Sequence, residues 1–344
     1  MMRLLILALL CVLLRSGALV AAPAPYLTRA EVKTFIDEMV QKHSFVKNQL
    51  ESSFSRVRHQ SAVMKAIQPG APEVRSWQSY RARFVNPLRI QSGIEFWSRH
   101  EETLARAEQE FGVPAEIIAS IIGVETVYGR NMGNFRVMDA LTTLAFDYPK
   151  RAEFFRTELE SFLLLARETK RDVFSIKGSY AGAIGIPQFM PGSYRRYAVD
   201  FDGSGNTDLR GSPADAIGSV ANFLKSHGWV PGSMTAVPVS VSGQSFRGLL
   251  DAGLKPSTSA ADLATLGVAL STPLQADTLC ALIELQTPGQ PGEFLAGLQN
   301  FWVITRYNRS SFYAASVIEL AAALKAERAN ASRGAHPVPP PAAR

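Results

Sequence analysis

Cysteine is nearly absent. Of 344 residues only Cys11 and Cys280 are cysteine, and Cys11 falls in an N-terminal stretch with the order of a removable leader. The remaining chain then has one thiol and cannot close an internal disulfide, so it rests on its hydrophobic core, which its length allows. Cys280 lies in the apolar run Leu279–Ile283 and reads as packing, not as a thiol catalyst. Histidine is scarce too: His43, His59, His100, His227 and His336 show no metal-ligand spacing, which argues against zinc. There is no glycine loop followed by Lys and Ser/Thr, no dinucleotide fingerprint and no serine nucleophile elbow. Charged residues make up 19% and hydrophobic residues 47%, the balance of an ordinary globular protein. The basic residues are scattered, without the clustered footprint of a nucleic-acid binder.

Long apolar runs are also missing, except at the start. Arg3, the run Leu4–Leu14 and the small-residue segment Ser16–Ala24 follow the order positive, apolar, cleavable. The run is too short to span a bilayer, and Arg15 counts against an uncleaved anchor. Leu10 precedes Cys11 where a lipoprotein signal wants a small residue, so no lipid anchor is expected. Residues 1–24 therefore read as a signal peptide and the protein as exported. Arg3 and Arg15 fall inside that segment, leaving 34 Lys and Arg against 30 Asp and Glu, a net charge of +4. Such a chain is drawn toward acidic polymers or membrane surfaces; a solvated surface with a small basic excess fits equally well.

What is present is mostly helical. Thr28 reads as an N-cap with Glu31 completing a capping box, and helical patterning runs from Arg29 to about Leu144. Further helices are expected at about Pro149–Arg167 and Pro213–His227. Beyond Gly232, Val237, Val239 and Val241 alternate with Pro238, Ser240 and Ser242, which predicts an edge strand because proline is excluded from a central one. Leu279–Leu285 and Phe301–Thr305 read as further strands. A last helix, capped by Ser310 or Ser311, is expected from about Phe312 to Glu327, and the Pro-rich tail from Ala329 is expected to be disordered. A small strand-containing lobe, about 233–300, thus looks inserted into a helical protein.

Three segments could carry chemistry. In Pro114–Gly129, Pro114 suits the first helical position, and Ile117, Ile121, Val124 and Tyr128 recur on one face. Glu125 lies four residues after Ile121 and eight after Ile117, so it points along that apolar face. A carboxylate there holds its proton toward neutral pH, as a general acid requires; the other reading is a glutamate at the stripe's edge reaching water. In DFDGSGNTDLRG (200–211), Asp200, Asp202 and Ser204 take positions 1, 3 and 5 of a calcium loop. Gly205 gives the turn, Asn206 a carbonyl and Asp208 a water-mediated contact. Gly211 replaces the closing glutamate, a role Asp215 could fill. The alternative is an Asp/Gly-rich turn. In GSYAGAIGIPQFMP (178–191), the glycines let backbone approach closely. Gln188, Tyr180 and Phe189 could grip a sugar, or the loop could simply pack on the core. Tyr307, Asn308 and Tyr313 form a polar-aromatic cluster that either lines a site or caps a helix.

Several stretches, in this order, resemble the lytic murein transglycosylase B family, glycoside hydrolase family 103. They are IIGVETVYGRNMGNF (121–135), DYPKRAEFFRTELE (147–160), GSYAGAIGIPQFMPGSY (178–194), AVDFDGSGNTDLRGSPADAIGSVANFLKSHGW (198–229) and FWVITRYNRSSFYA (301–314). The resemblance implies a mainly α (α+β) fold: a lysozyme-like helical catalytic core with a helical N-terminal lobe and the small inserted β-containing lobe. The catalytic region would be 25–328. It implies a bacterial periplasmic enzyme, soluble and monomeric. Its partners would be peptidoglycan glycan strands and other cell-wall enzymes. The bond cut is the β-1,4 link from N-acetylmuramic acid to N-acetylglucosamine, without water, leaving a 1,6-anhydro end. By the same resemblance Glu125 is the catalytic acid, and Lys150, Arg151, Ser179, Gln188, Tyr307, Asn308 and Tyr313 bind substrate. Phe223 stands where relatives can carry Tyr. A structural Ca2+ would be held by Asp200, Asp202, Ser204, Asn206 and Asp215, with one extra residue before Asp215.

Overall fold

The computed structural model describes residues 25–68 and 76–334; residues 1–24, expected to be a signal peptide, and the residues beyond 334 lie outside the described residues. Residues up to Val57 form one unit and those from Arg58 another. In the first, a 3-10 turn at Tyr26–Thr28 leads to α1 (Ala30–His43) and α2 (Lys47–Ser55). α1 buries Val32, Phe35, Ile36 and Met39, the spacing of a single helix face. Thr28 is not the cap expected of it. It ends the 3-10 turn with its hydroxyl donating to the Pro25 carbonyl at 2.7 Å, and α1 starts without a side-chain cap.

The second unit opens with α3 (Ser61–Ile67), α4 (Trp77–Phe84), α5 (Pro87–Arg99), α6 (Glu101–Phe111) and α7 (Ala115–Thr126). Then come β1 (Phe135–Arg136), α8 (Val137–Asp147), a 3-10 turn at Pro149–Arg151, α9 (Ala152–Glu168), β2 (Lys177–Gly178), α10 (Pro191–Tyr197) and α11 (Pro213–Ser226). β3 (Ala236–Val241), α12 (Arg247–Leu250), β4 (Thr258–Ser259), α13 (Ala260–Thr265), β5 (Val268–Leu270), β6 (Leu279–Leu285) and β7 (Glu293–Gly297) follow, and α14 (Gln299–Tyr307) and α15 (Ser311–Gly334) close the chain. The protein is thus mainly helical with a small sheet.

α7 is the centre of the helical core. It is apolar nearly all round, with every residue from Ile117 to Val124 buried, the composition of a helix enclosed by others. α5, α6, α11 and α15 pack around it. Pro114 precedes the helix as its N-cap instead of opening it. The helix stops because Val127, Tyr128 and Gly129 all take left-handed backbone, with φ of 51°, 57° and 86°. Left-handed geometry costs about 1–2 kcal/mol at a residue such as Val127, so the break is held by surrounding structure. Tyr128 consequently leaves the helical stripe and lies against Gly93 of α5 and Gly123 of α7, where an added Cβ would fall 2.3 and 2.5 Å from its hydroxyl.

The sheet runs in the order β4-β6-β7-β3-β5, all antiparallel. β3 is therefore not the edge strand that Pro238 suggested. β5 ends at Leu270, opposite Val239, and past that end the Pro238 carbonyl accepts from the Ser271 amide at 2.9 Å. N–H and C=O of one strand residue face the same way, so the missing N–H falls where no strand stands. Val237, Leu263, Val268, Cys280, Leu282 and Ala296 fill the core under this sheet.

Two other expectations are corrected. Phe301–Thr305 is helical, within α14, since a short buried apolar run does not distinguish strand from helix. Asn300 fixes the first turn of α14, accepting from Val230 N at 2.8 Å and donating to the carbonyls of Val230 and Ser233 at 2.8 and 2.9 Å. The stretch from Ala329 to Gly334 continues α15 and is not an irregular tail. Just before it, Arg328 pairs with Glu101 and lies 4.8 Å from the Trp97 ring centre, which anchors the helix at that point.

The end of α7 is tied to the loop between β2 and α10 through one hydroxyl. Buried Thr126 donates to the Ile186 carbonyl at 2.8 Å and accepts from Gly129 N at 2.9 Å. Thr126→Val keeps the shape and leaves both groups unpaired, so it should lower stability by about 2–3 kcal/mol in denaturant unfolding. Thr126→Ser should recover most of that loss.

Candidate active site

Glu125 sits one residue before the end of α7, partly buried. From α15, Tyr313 donates its hydroxyl to Glu125 Oε1 at 2.7 Å. Burial raises the Glu125 carboxyl to a pKa of about 7, and the Tyr313 hydrogen bond opposes that rise. Burial and the neighbouring Glu125 charge push the hydroxyls of Tyr307 and Tyr313 well above the ordinary tyrosine range. Both therefore remain donors at any physiological pH. Among the described residues no second carboxylate acts on Glu125.

The wall beside Glu125 is aromatic. Tyr307, the last residue of α14, lies nearly parallel to Tyr313 with ring centres 6.4 Å apart and planes at 13°. Phe189 and Phe223 stand 5.7 and 4.8 Å from the Tyr307 ring. The Tyr307 hydroxyl donates to the Pro187 carbonyl at 2.6 Å, which pins the 178–191 loop to α14. The same loop is held from below. Ile186 N donates to the Leu209 carbonyl at 2.7 Å, and Gly185, at φ 76°, leaves no room for a Cβ, which would fall 2.3 Å from that carbonyl oxygen.

The structure brings Glu125, Tyr307 and Tyr313 together directly, with Ser179 and Gln188 on the pinned loop. Ser179 Oγ accepts from Ala183 N at 3.0 Å. Gln188 has a left-handed backbone, φ 51°, and its amide nitrogen donates to the carbonyls of Gly185 at 2.8 Å and Met132 at 3.3 Å. Its amide oxygen is the atom left to meet a ligand. Asn308 is exposed at the α14–α15 junction. Lys150 and Arg151 lie exposed on the 3-10 turn before α9, with the Arg151 guanidinium 4.2 Å from the Phe154 ring centre. No hydrogen bond joins them to the Glu125 group among the described residues. Thr126 escaped the sequence reading, although a threonine inside an otherwise apolar helix was a usable signal. Tyr80 of α4, which acts electrostatically on Tyr313, left no signal at all.

The 200–211 loop winds around its own carboxylates. Asp200 accepts from the amides of Ser204 and Gly205 at 3.0 and 2.7 Å, and Asp202 accepts from Ser204 N at 3.0 Å and Ser212 Oγ at 2.7 Å. The Ser204 hydroxyl donates to the Asn206 carbonyl at 3.0 Å. Asp215 is fully buried and accepts from the amides of Phe201, Asp202 and Asp208 at 2.8, 3.2 and 2.7 Å. One oxygen from each of Asp200, Asp202 and Asp215 lies within 4.8 Å of the others. Oxygens around a calcium ion at about 2.3–2.6 Å can be no farther apart than roughly twice that distance, so the set fits a hard cation.

The raised Glu125 carboxyl has a consequence for stability. Below pH 4.5, the carboxyl's ordinary value, folded and unfolded chains both hold the proton and there is no penalty. From there to about 7 the folded chain keeps a proton that the unfolded chain has lost, so stability falls as pH rises and then levels off. The full penalty is on the order of 3 kcal/mol. Glu125→Gln should therefore be clearly more stable than the wild type at pH 8 and about equal to it at pH 4. A gain that does not change with pH would contradict the buried-acid geometry.

Comparison with known proteins places this geometry. The family model for the transglycosylase SLT domain matches residues 28–322. The membrane-bound lytic murein transglycosylase B of Escherichia coli K12 is 44% identical over 303 residues, covering 86% of this chain and 82% of that protein. Soluble lytic transglycosylase SltB1 from Pseudomonas aeruginosa superimposes with a TM-score of 0.82 at 46% identity, covering 87% of this chain and 99% of that one. The E. coli lytic transglycosylase Slt35, solved in complex with calcium, gives 0.77 at 42% identity, covering 89% and 94%. P. aeruginosa SltB3, solved with a NAG-anhNAM-pentapeptide, gives 0.74 at 30% identity, covering 86% and 79%. These neighbours share the lysozyme-like helical core with its small sheet, and the chain belongs to the transglycosylase SLT domain family.

Proposed function

We propose that this chain is a lytic transglycosylase of peptidoglycan, cutting the β-1,4 bond from N-acetylmuramic acid to N-acetylglucosamine. The observation that carries the reading is Glu125: a single carboxyl that burial raises to a pKa of about 7, held by Tyr313 and, among the described residues, without a carboxylate partner. Two-carboxylate glycosidases set a second acid about 5–9.5 Å across the bond as nucleophile or base. Here one residue serves both steps. Protonated Glu125 gives its proton to the glycosidic oxygen as the C1–O bond breaks, and the substrate's own N-acetyl oxygen closes on C1. Ionised Glu125, stabilised by the Tyr313 hydroxyl, then takes the proton of the C6 hydroxyl. That oxygen attacks C1 and displaces the acetamido oxygen. The product ends in a 1,6-anhydro sugar, Glu125 is protonated again, and no water enters.

Ser179, the Gln188 amide oxygen, Asn308 and the Tyr307 face supply hydrogen bonds and stacking for the sugars, and Lys150 and Arg151 offer charge to acidic groups. Support for this substrate comes from the names and ligands of the relatives. The leader-like N-terminus supports export to the periplasm, and no helix among the described residues is long and apolar enough to cross a membrane. Asp200, Asp202 and Asp215, with Ser204 and Asn206, would hold Ca2+ as a structural ion that draws the loop's carboxylates together.

Incubating residues 25–344 with purified peptidoglycan and weighing the soluble products tests the activity. Muropeptides ending in 1,6-anhydro-N-acetylmuramic acid are expected from the wild type and none from Glu125→Gln; products one water heavier would make it a hydrolase. Because the first step needs protonated Glu125, kcat/KM should fall about tenfold per pH unit above pH 7. Calcium at 10 mM should raise stability by about 1–3 kcal/mol if Kd is on the order of 0.1–1 mM. Asp202→Asn should lose that increment, and an equal response to magnesium would argue against a calcium site.

A further inference from the structure

The last turn of the 200–211 loop faces two ways. On one side it belongs to the gathered carboxylates: Asp215 accepts from Asp208 N at 2.7 Å, and Asp208 in turn accepts from Arg210 N at 3.0 Å. On the other side the next two residues reach the segments that carry the sugar-binding groups. The Leu209 carbonyl accepts from Ile186 N at 2.7 Å, two residues before Gln188. The Arg210 guanidinium donates to the carbonyls of Lys177 at 3.3 Å and Gly133 at 3.5 Å. One side chain thus ties β2 to the turn that leads into β1, the strand paired with it.

Both carbonyls adjoin residues that would meet substrate. Lys177 stands two residues before Ser179. Gly133 lies against the backbone of Gly178 and Ser179, where an added Cβ would fall 2.2 Å from the Gly178 carbonyl oxygen and 2.6 Å from Ser179 N. Met132, one residue earlier, accepts from the Gln188 amide nitrogen at 3.3 Å, which leaves the Gln188 amide oxygen for a ligand. A planar guanidinium can serve two carbonyls at once, whereas a lysine ammonium is a single point charge on a flexible stem. At the far end of the turn, oxygens of Asp200, Asp202 and Asp215 lie within 4.8 Å of one another. Their like charges repel, and a divalent cation among them removes that repulsion.

Resting on the activity and the structural ion proposed above, we infer that Arg210 is a positioning residue for Ser179 and Gln188, and that through it cation binding and glycan binding strengthen each other. A cation steadies Asp215, and Asp215 holds Asp208 by its amide. The Leu209 carbonyl and the Arg210 fork then keep Ile186, Lys177 and Gly133 in the places from which Ser179 and Gln188 reach the sugars. The effect is reciprocal: the factor by which the cation tightens glycan binding is the factor by which the glycan tightens cation binding.

Titration calorimetry with an N-acetylglucosamine hexamer as probe, on the Glu125→Gln protein so that the probe is not cleaved, tests this with calcium present and with calcium chelated. Calcium should lower the Kd of the hexamer about fivefold, and saturating hexamer should lower the Kd of calcium by the same factor. Adding Arg210→Gln should bring that factor close to one while calcium still binds. Arg210→Lys should keep part of it, and it decides in place of Arg210→Gln if the latter does not fold. A factor of one before Arg210 is changed, a factor that Arg210→Gln leaves intact, or an equal loss of hexamer affinity with and without calcium overturns the inference while the activity stands. Absence of 1,6-anhydro products from the wild type overturns the activity reading, and absence of calcium binding overturns the ion reading; either takes this inference with it.

Discussion

Glu125 is partly buried at the end of a helix enclosed by four others, and the side-chain hydrogen bond to its carboxyl comes from a tyrosine nearly two hundred residues away. Burial alone would make the carboxyl a reluctant acid, and full solvation would make it too strong an acid to carry a proton at neutral pH. The Tyr313 hydroxyl sets the balance between them, because it favours the ionised form without returning the group to water. Every step proposed for the chemistry depends on that balance, and so does the placement of α15 against α7.

Holding the balance requires that neither the helix end nor the facing loop can drift. The three left-handed residues after Thr126 end α7 abruptly, and the Thr126 hydroxyl converts that break into an attachment for the 178–191 loop. Tyr307 grips the same loop from the other side through Pro187. A loop held at both flanks can carry Ser179 and Gln188 at fixed positions, which binding a polymer of repeating polar units demands. The 200–211 loop is gathered by carboxylates in the same way. Asp215 already gathers three backbone amides at the start of α11, so the loop is partly organised by the chain itself.

Much of this was legible in the chain, for identifiable reasons. The apolar face of Ile117, Ile121 and Val124 singles out Glu125 because helical periodicity is a local property. The alternation of acids around Gly205 likewise reports loop geometry. Where competing structures share a local pattern, the sequence misled. Phe301–Thr305 reads as a strand because five apolar-rich residues fit either period, and Pro238 reads as an edge residue because the early end of β5 is not written nearby. Thr28 has the right neighbours for a cap, yet its hydroxyl turns back to Pro25.

The sequence by itself determined which carboxylate is placed among apolar neighbours, which glycines allow close backbone passage, and which oxygen ligands are gathered in one loop. Each follows from spacing along a few turns of chain. Only the tertiary structure decided that Tyr313 is the partner of Glu125 and that Thr126 and Tyr307 clamp the same loop. Those pairings join residues on separate helices and strands. Their distances depend on how the elements pack, a property of the whole folded chain that no local spacing encodes.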